Sequence, residues 1–274
     1  MSYFYRPAGG GEGVEEYANY DALPSSTEGA TARTTNNNQT WRYSTVAGCW
    51  IPSEFYDADL AIQQDRSATP KDLDFKTPQI SDFSGLSGYD PSIIGSATDG
   101  TDEIELTSNS SIRFTRETHT GDSLIIVNVD YQTVGAAGYF RNGIQIQGHT
   151  NNSSDELVVL DFGGPTLGSD NHAVFAVNFA GLGTNMRPAE GAPFAAGARV
   201  FMRWNSGQQT TNTTPAFIEC IIQDLDQNRK LRTLYAGLEN NGGFPLHSVT
   251  IRTNPTGGAS RSLKLKRFQV LKYT

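Results

Sequence analysis

The chain has 274 residues, of which 37% are hydrophobic and only 18% charged, enough for a sizeable core with a surface built largely from Ser, Thr, Asn, Gln and Gly. A formal net charge of −8 argues against a general nucleic-acid binder, which needs clustered Lys and Arg to neutralise phosphates. No stretch is apolar for long enough to span a bilayer, residues 1–13 lack the apolar core of a secretory signal, and two cysteines, Cys49 and Cys220, make no disulfide framework. The expectation is a soluble protein made in a cytoplasm, with two free, mostly buried thiols and no membrane insertion.

Residues 1–13 read as an extended arm. Tyr3, Phe4 and Tyr5 stand in Ser2-Tyr3-Phe4-Tyr5-Arg6-Pro7, ahead of a glycine run. Ordering such a leash alone costs entropy, so two readings stand: a disordered arm, or aromatics that dock on a neighbouring subunit. Residues 14–56 read as a small antiparallel β-meander: a Leu23-Pro24 step, a Ser-Ser-Thr-Glu-Gly turn, a strand over 30–34, an Asn36-Asn37-Asn38 turn, an alternating Thr40-Trp41-Arg42-Tyr43, and a closing Gly48-Cys49-Trp50-Ile51-Pro52. A unit this small needs a partner surface, either the rest of the chain or a symmetry mate. Residues 57–77 read as a linker, with a possible short helix around Ala58, Leu60, Ala61 and Ile62 that stops before Pro70.

Residues 78–274 read as strand after strand. Short early strands are expected at Ile93-Ile94, 104–106 and 112–115. Longer runs follow over 124–131, 143–148, 156–162, 172–180, 199–205, 216–225, 231–235, 246–253 and 263–273, separated by clusters of Gly, Asn, Ser, Thr and Pro. Residues 124–129 are apolar on both faces, as in a central strand covered on both sides. In the last strand the apolar phase shifts between Leu265 and Phe268, which predicts a β-bulge. The same strand carries Arg261, Lys264, Lys266, Arg267 and Lys272. Alternation with Leu263, Leu265, Phe268 and Val270 favours a solvated or interface-facing strand over a nucleic-acid patch. The fold class is all-β: a two-sheet antiparallel jelly-roll sandwich with a small N-terminal β-module and an extended arm.

Two parts of the chain resemble known families. Arg199-Val200-Phe201-Met202-Arg203-Trp204, the hairpin of 217–224 and 230–235, and the closing pair Ser248-Val249-Thr250-Ile251 and 263–273 are similar to a concanavalin A-like, laminin-G-like jelly roll. Tyr20-Asp21-Ala22-Leu23-Pro24, Glu28-Gly29-Ala30, Thr40-Trp41-Arg42-Tyr43 and Gly48-Cys49-Trp50-Ile51-Pro52 resemble a short module of bacteriophage tail-fibre and other virion proteins. The resemblance implies a virion appendage or head-decoration protein assembled as a symmetric oligomer, most often a homotrimer, in contact with other virion proteins and made in the host cytoplasm. An assembly interface at Tyr3, Phe4, Tyr5, Trp41 and Trp50 goes with it, although Trp41, Trp50 and Trp204 also suit plain packing.

The chemistry-bearing residues are sparse. Glucanases of the jelly-roll class carry a Glu-x-Asp-x-Glu cluster on one strand, with nucleophile and acid on one face. Here Glu103 and Glu105 share a face but position 107 is Thr, so the solvent face of an edge strand is the plainer reading and no catalytic residue is assigned. Asp224, Asp226 and Asn228 open like a calcium loop, yet Arg229 and Lys230 follow where a cation would be repelled; Asp99-Gly100-Thr101-Asp102 is a second oxygen-rich loop where calcium is conceivable. His119, His149, His172 and His247 show no metal-ligand spacing. Carbohydrate binding uses an aromatic face beside hydroxyl-binding polar groups, and Tyr89, Tyr139 and Phe140 are the loop aromatics suited to it, unless they sit at the sandwich rim or in a subunit contact. The expected function is a virion structural protein whose outward jelly roll binds host-surface glycan. The alternatives are a free lectin-like protein and a glycan-cleaving enzyme.

Overall fold

The computed structural model describes residues 13–56, 62–64, 74–76, 78–80, 92–107, 110–119, 122–134, 141–148, 158–163, 174–179, 182–186, 197–205, 216–224, 230–238, 246–252 and 260–273. The chain is all-β, two antiparallel sheets forming a sandwich. Four short strands stand apart in a third sheet: β1 (Glu15–Tyr17), β2 (Thr31–Thr34), β3 (Gln39–Ser44) and β4 (Cys49–Pro52), in the order β1-β2-β3-β4. β1 runs parallel to β2, while the other pairs are antiparallel. The β2–β3 hairpin turns through residues 35–38, where Asn38 takes φ 56°, a left-handed conformation that asparagine tolerates better than most residues.

Four short strands follow: β5 (Ile62–Gln64), β6 (Asp74–Phe75), β7 (Ser92–Ile94) and β8 (Ala97–Asp99). The remaining strands are β9 (Ile104–Leu106), β10 (Ser111–His119), β11 (Asp122–Val134), β12 (Arg141–Gly148), β13 (Val158–Gly163), β14 (Val174–Phe179), β15 (Leu182–Met186), β16 (Gly197–Asn205), β17 (Ala216–Asp224), β18 (Lys230–Leu238), β19 (Leu246–Arg252) and β20 (Ser260–Tyr273). One sheet has the order β15-β14-β13-β12-β19-β10-β7. The other has β18-β17-β16-β11-β20-β9-β8, with β5 and β6 also on β20. β19 and β20, which carry the closing pair, lie in different sheets.

Ile62 is in a strand, not in the short helix expected near it; the rest of that segment, 57–61, lies outside the described residues. The physical reason is β20. It is a 14-residue strand whose second edge needs partners, and β5, β6 and β9 supply them in succession against Leu271–Tyr273, Phe268 and Gln269, and Leu263–Leu265. Backbone groups that pair in this way outweigh the weak helix preference of a few residues.

β11 sits between β16 and β20, and its alternation explains the layers. Ile125, Val127 and Val129 share one face with Val200, Met202, Cys220, Ile222, Leu265, Phe268 and Val270, all buried in the sandwich. Leu124 and Ile126 share the other face with Phe201, Ile221 and Leu271, and that face is covered by the small sheet. Asn128 pairs with Arg267 but Val129 pairs with Leu265, so Lys266 is the extra residue of a β-bulge. The bulge returns Leu263 and Leu265 to the inner face already used by Phe268 and Val270. Lys266 itself points outward to an ion pair with Asp130.

Deleting Lys266 should move Leu263 and Leu265 out of the core and abolish soluble expression or cooperative melting. Lys266→Ala should keep the register and cost less than about 0.5 kcal/mol in urea denaturation. A deletion variant as stable as the alanine variant would show that the bulge does not set the phase.

Candidate functional site

The best-defined constellation is the seam where the small sheet meets the sandwich. Outward positions of β16 read Arg199, Phe201 and Arg203. They lie in register with Gln223, Ile221 and Glu219 of β17 and with Asn128, Ile126 and Leu124 of β11. Into this mixed surface the small sheet inserts Trp41, whose ring centroid is 5.7 Å from that of Phe201. Tyr20 meets Trp41 edge-on at 4.8 Å. Ala32, Ala47, Trp50, Ile51 and Phe55 complete an apolar cluster with Leu124, Ile126, Phe201, Ile221, Leu271 and Tyr273.

Arginines frame the cluster. The Arg199 guanidinium stacks 3.7 Å above the Tyr20 ring, donates from Nη1 to Gln223 Oε1 at 2.9 Å and from Nη2 to Asp21 Oδ1 at 2.8 Å. Arg203 lies 4.8 Å from the Tyr273 ring, and the Tyr273 hydroxyl donates to the Phe55 carbonyl at 2.5 Å. At a third point Ala47 O accepts from Arg267 Nη1 at 3.2 Å and from Gln269 Nε2 at 3.0 Å. Gly48 (φ 65°) follows, so the turn needs glycine for its backbone, with the flexible end of the Lys76 side chain lying over it. The buried Arg199 and the partly buried Arg203 and Arg267 are tolerable here because each has aromatic faces or oxygens to replace water.

The electrostatics hold the seam in one protonation state near neutrality. Burial pushes the Tyr20 hydroxyl well above its ordinary range, despite opposition from Arg199 and Arg267, and the hydroxyl donates to Trp50 O at 2.7 Å. Burial likewise raises the Cys49 and Cys220 thiols. Neither is set up as a thiolate nucleophile.

Within the small sheet the motif residues explain one another. Trp50 Nε1 donates to Pro24 O at 2.7 Å, tying the closing Trp to the Leu-Pro step. Trp41 Nε1 donates to Thr34 Oγ1 at 3.0 Å across the hairpin. Glu28 caps the opposite turn: one carboxylate oxygen accepts from Thr45 N at 2.7 Å and Thr45 Oγ1 at 2.6 Å. Gly29, at φ 75°, is packed so that a Cβ would stand 3.1 Å from the Tyr56 hydroxyl.

The structure sorts the residues singled out from sequence. Trp41 is 0% exposed and Trp50 5%, both enclosed within this chain. They leave no ring face for another subunit, which corrects their expected place in an assembly interface and agrees with the packing reading. Tyr3, Phe4, Tyr5, Tyr89, Tyr139 and Phe140 lie outside the described residues, as do Asp226, Asn228, His149 and His172. Glu103 is ion-paired with Lys264, whose register partner is Glu105. The hydrogen bond from Lys264 to Glu103 raises the ammonium pKa. Asp99 accepts from Ile80 N at 2.5 Å, and Gly100 N donates to Glu103 O, which commits that loop to its own turn. Among the described residues no group of three or more His, Cys, Asp or Glu is arranged to hold a metal. Register places His119 opposite Leu246, next to His247, a proximity their sequence separation hides.

Sequence reasoning missed Arg199, Gln223 and Asp21 as partners. The available signal was an arginine on either side of Phe201 at outward positions, a pattern more suited to a covered face than to a bare one.

No protein-family model matches the chain, and no curated protein matches it. Solved structures do. The Phaseolus vulgaris lectin-like defence protein arcelin-5 is similar over 76% of this chain and 99% of its own, at 10% identity and a TM-score of 0.47. The carbohydrate recognition domain of Emp47p is similar over 75% and 99%, at 10% identity and 0.46. A botulinum neurotoxin serotype D/C binding domain is similar over 74% of this chain at 12% identity and 0.45; the chain spans about half, 49%, of that protein. Likeness at these identities concerns fold alone.

Trp41→Ala should destabilise the chain by about 3–5 kcal/mol. A double-mutant cycle with Phe201→Ala, read by urea denaturation, should give a coupling of roughly 0.5–1.5 kcal/mol. Strict additivity would mean that the two rings do not support each other. For Glu28, burial alone would raise the carboxyl, but hydrogen bonds from Thr45 and Tyr56 outweigh it and hold the group below its ordinary value. Its stabilisation is therefore present above the unfolded value of about 4.3 and is lost as pH falls through the folded value. Glu28→Gln should lower the melting temperature at neutral pH and converge with the parent toward about pH 3. A gap that does not change with pH would contradict this.

Proposed function

We propose that this chain is a non-enzymatic structural and adhesive subunit of a bacteriophage particle, a tail fibre, spike or head-decoration protein, whose sandwich faces outward and binds host-surface glycan. The observation that supports the reading is the docking of the small sheet. Its aromatic cluster and the contacts of two arginines, Arg199 and Arg267, join it to β11, β16 and β20 as one packed unit. β1 is the outer strand of that sheet, and Val14 beside it is exposed. The sequence bearing Tyr3, Phe4 and Tyr5 leads directly into β1. A neighbouring virion protein that grips those aromatics therefore grips the base of a firmly held body.

Assembly as a homotrimer would multiply weak sugar contacts, since a second and third site act at high effective concentration once the first is occupied. Burial of the arm against its neighbour would stabilise the assembly by mass action.

Removal of residues 1–13 should leave the melting transition intact, because the described contacts of the seam come from residues 20–56 and the sandwich, while abolishing the oligomer in light scattering and incorporation into particles. A truncated protein that still enters particles at the parental level would end the case for the arm. A glycan array probed with intact oligomer tests the adhesive half separately, and an array with no signal above background counts against it.

A further inference from the structure

We propose that the free edge of β1 receives residues 2–6 of a second copy of this chain as a parallel fifth strand, so that copies are joined by exchange of their N-terminal segments. The inference rests on the reading of residues 1–13 as an assembly arm, and it names both the partner and the seat.

β1 ends the order β1-β2-β3-β4, and among the described residues no strand lies on its second edge. The parallel register matches Glu15 with Ala32, Glu16 with Arg33 and Tyr17 with Thr34. Tyr17 O accepts from Thr35 N at 2.9 Å, so Tyr17 turns its backbone groups toward β2. Alternate residues of a strand present N–H and C=O to opposite edges. Glu15 therefore also faces β2, and Glu16 presents both of its groups outward. Glu15 and Glu16 are exposed, and Val14, immediately before them, is 47% exposed.

The side chains select the occupant. A bare edge is a template for another strand, and charges on it restrict which strand pairs. β1 of another copy would set Glu15 and Glu16 against like charges. The sequence Ser2-Tyr3-Phe4-Tyr5-Arg6 brings the complement: three aromatics with strand preference, and a cation. In a strand, Phe4 and Arg6 share a face, so a parallel alignment sets Phe4 beside Val14 and Arg6 beside Glu16. The antiparallel strand with Arg6 at Glu16 would carry Phe4 to Ala18, whose carbonyl already accepts from Asn36 N at 3.2 Å. Glu16 Oε1 accepts from Arg33 Nη1 at 3.3 Å, yet the side chain is 54% exposed, so the carboxylate has capacity for a second cation.

The parallel alignment also decides between one copy and two. Joining parallel strands within a chain takes a crossover of about a dozen residues or more. Residues 7–13 alone separate Arg6 from Val14, too few for a crossover, so the donor is another copy. Four of those residues are glycines, and the segment can reach roughly 25 Å when extended, a usable leash to a neighbour. Each copy gives one segment and receives one, a head-to-tail contact that can close into a ring.

The test uses the full chain. Glu16→Pro removes an N–H that β2 does not use, so the variant should melt like the parent while its oligomer is lost in light scattering. Glu16→Gln keeps the N–H and removes one exposed charge, so it should weaken assembly by no more than about fivefold. If Glu16→Pro melts early, the register is read by placing Phe4→Cys and Val14→Cys in one chain. Parallel neighbours about 4.8 Å apart lie within disulfide range, so oxidation should give covalent multimers that neither single variant forms. An oligomer that survives Glu16→Pro, or a double-cysteine chain that closes on itself as a monomer, overturns the exchange. A parent chain that is monomeric in solution yet needs residues 1–13 to enter particles also overturns it, and leaves the arm on a different virion protein. If removal of residues 1–13 changes neither the oligomer nor incorporation, the arm reading and the exchange fall together.

Discussion

A β-strand with large apolar side chains on both faces must be covered twice. β11 imposes this requirement on the rest of the molecule. Ile125, Val127 and Val129 are enclosed in the sandwich, while Leu124 and Ile126 on the opposite face would lie against water if the sandwich stood alone. The small N-terminal sheet meets the second demand. It is too small to bury a sufficient core by itself, and the outer face of β11 and β16 needs a lid, so each solves the other's problem.

The solution is not purely apolar. Arg199, Arg203 and Arg267 stand around Phe201 and Leu124, and a flat hydrophobic plug would leave their charges without water or partners. Tyr20, Tyr273 and the Ala47 carbonyl supply what they lose. An interface of this kind is more selective than a greasy one, because a displaced sheet would strip partners from the buried Arg199 and the partly buried Arg267 at once. The sequence motif of residues 20–52 gains a physical meaning in the same way. Its Leu-Pro step, glycine turn and two tryptophans are the internal hydrogen-bonding partners of a very small sheet, and Trp41 is also its key to the sandwich.

Most of the strands can be read from the sequence, because alternation and turn residues act locally. The bulge was readable for a similar reason: Leu265 and Phe268 break the two-residue period, and a one-residue insertion is the simplest repair. The failures share a cause. Ile62 joins a strand because β20 offers it backbone partners from the far end of the chain. Trp41 and Trp50 have ring chemistry that suits a subunit contact as well as a core, and only tertiary packing distinguishes the two. The pairing of Asp21 with Arg199 spans most of the chain, and no local pattern announces it. The loop aromatics Tyr89, Tyr139 and Phe140 remain a proposal made from composition.

The arrangement around β20 has a consequence for biosynthesis. β5, β6 and β9 emerge early, yet their ladder partner is the last strand of the sandwich. At ribosomal speed the interval is on the order of ten seconds or more. Through that interval Leu124, Ile126 and the edge of β11 lack half of their neighbours, in a topology already slowed by long-range pairing. In a nascent chain of this design that sheet stays incomplete until β20 has emerged. Its vulnerability to aggregation would then depend on crowding among unfinished copies, a burden most severe where many ribosomes translate one message at the same time.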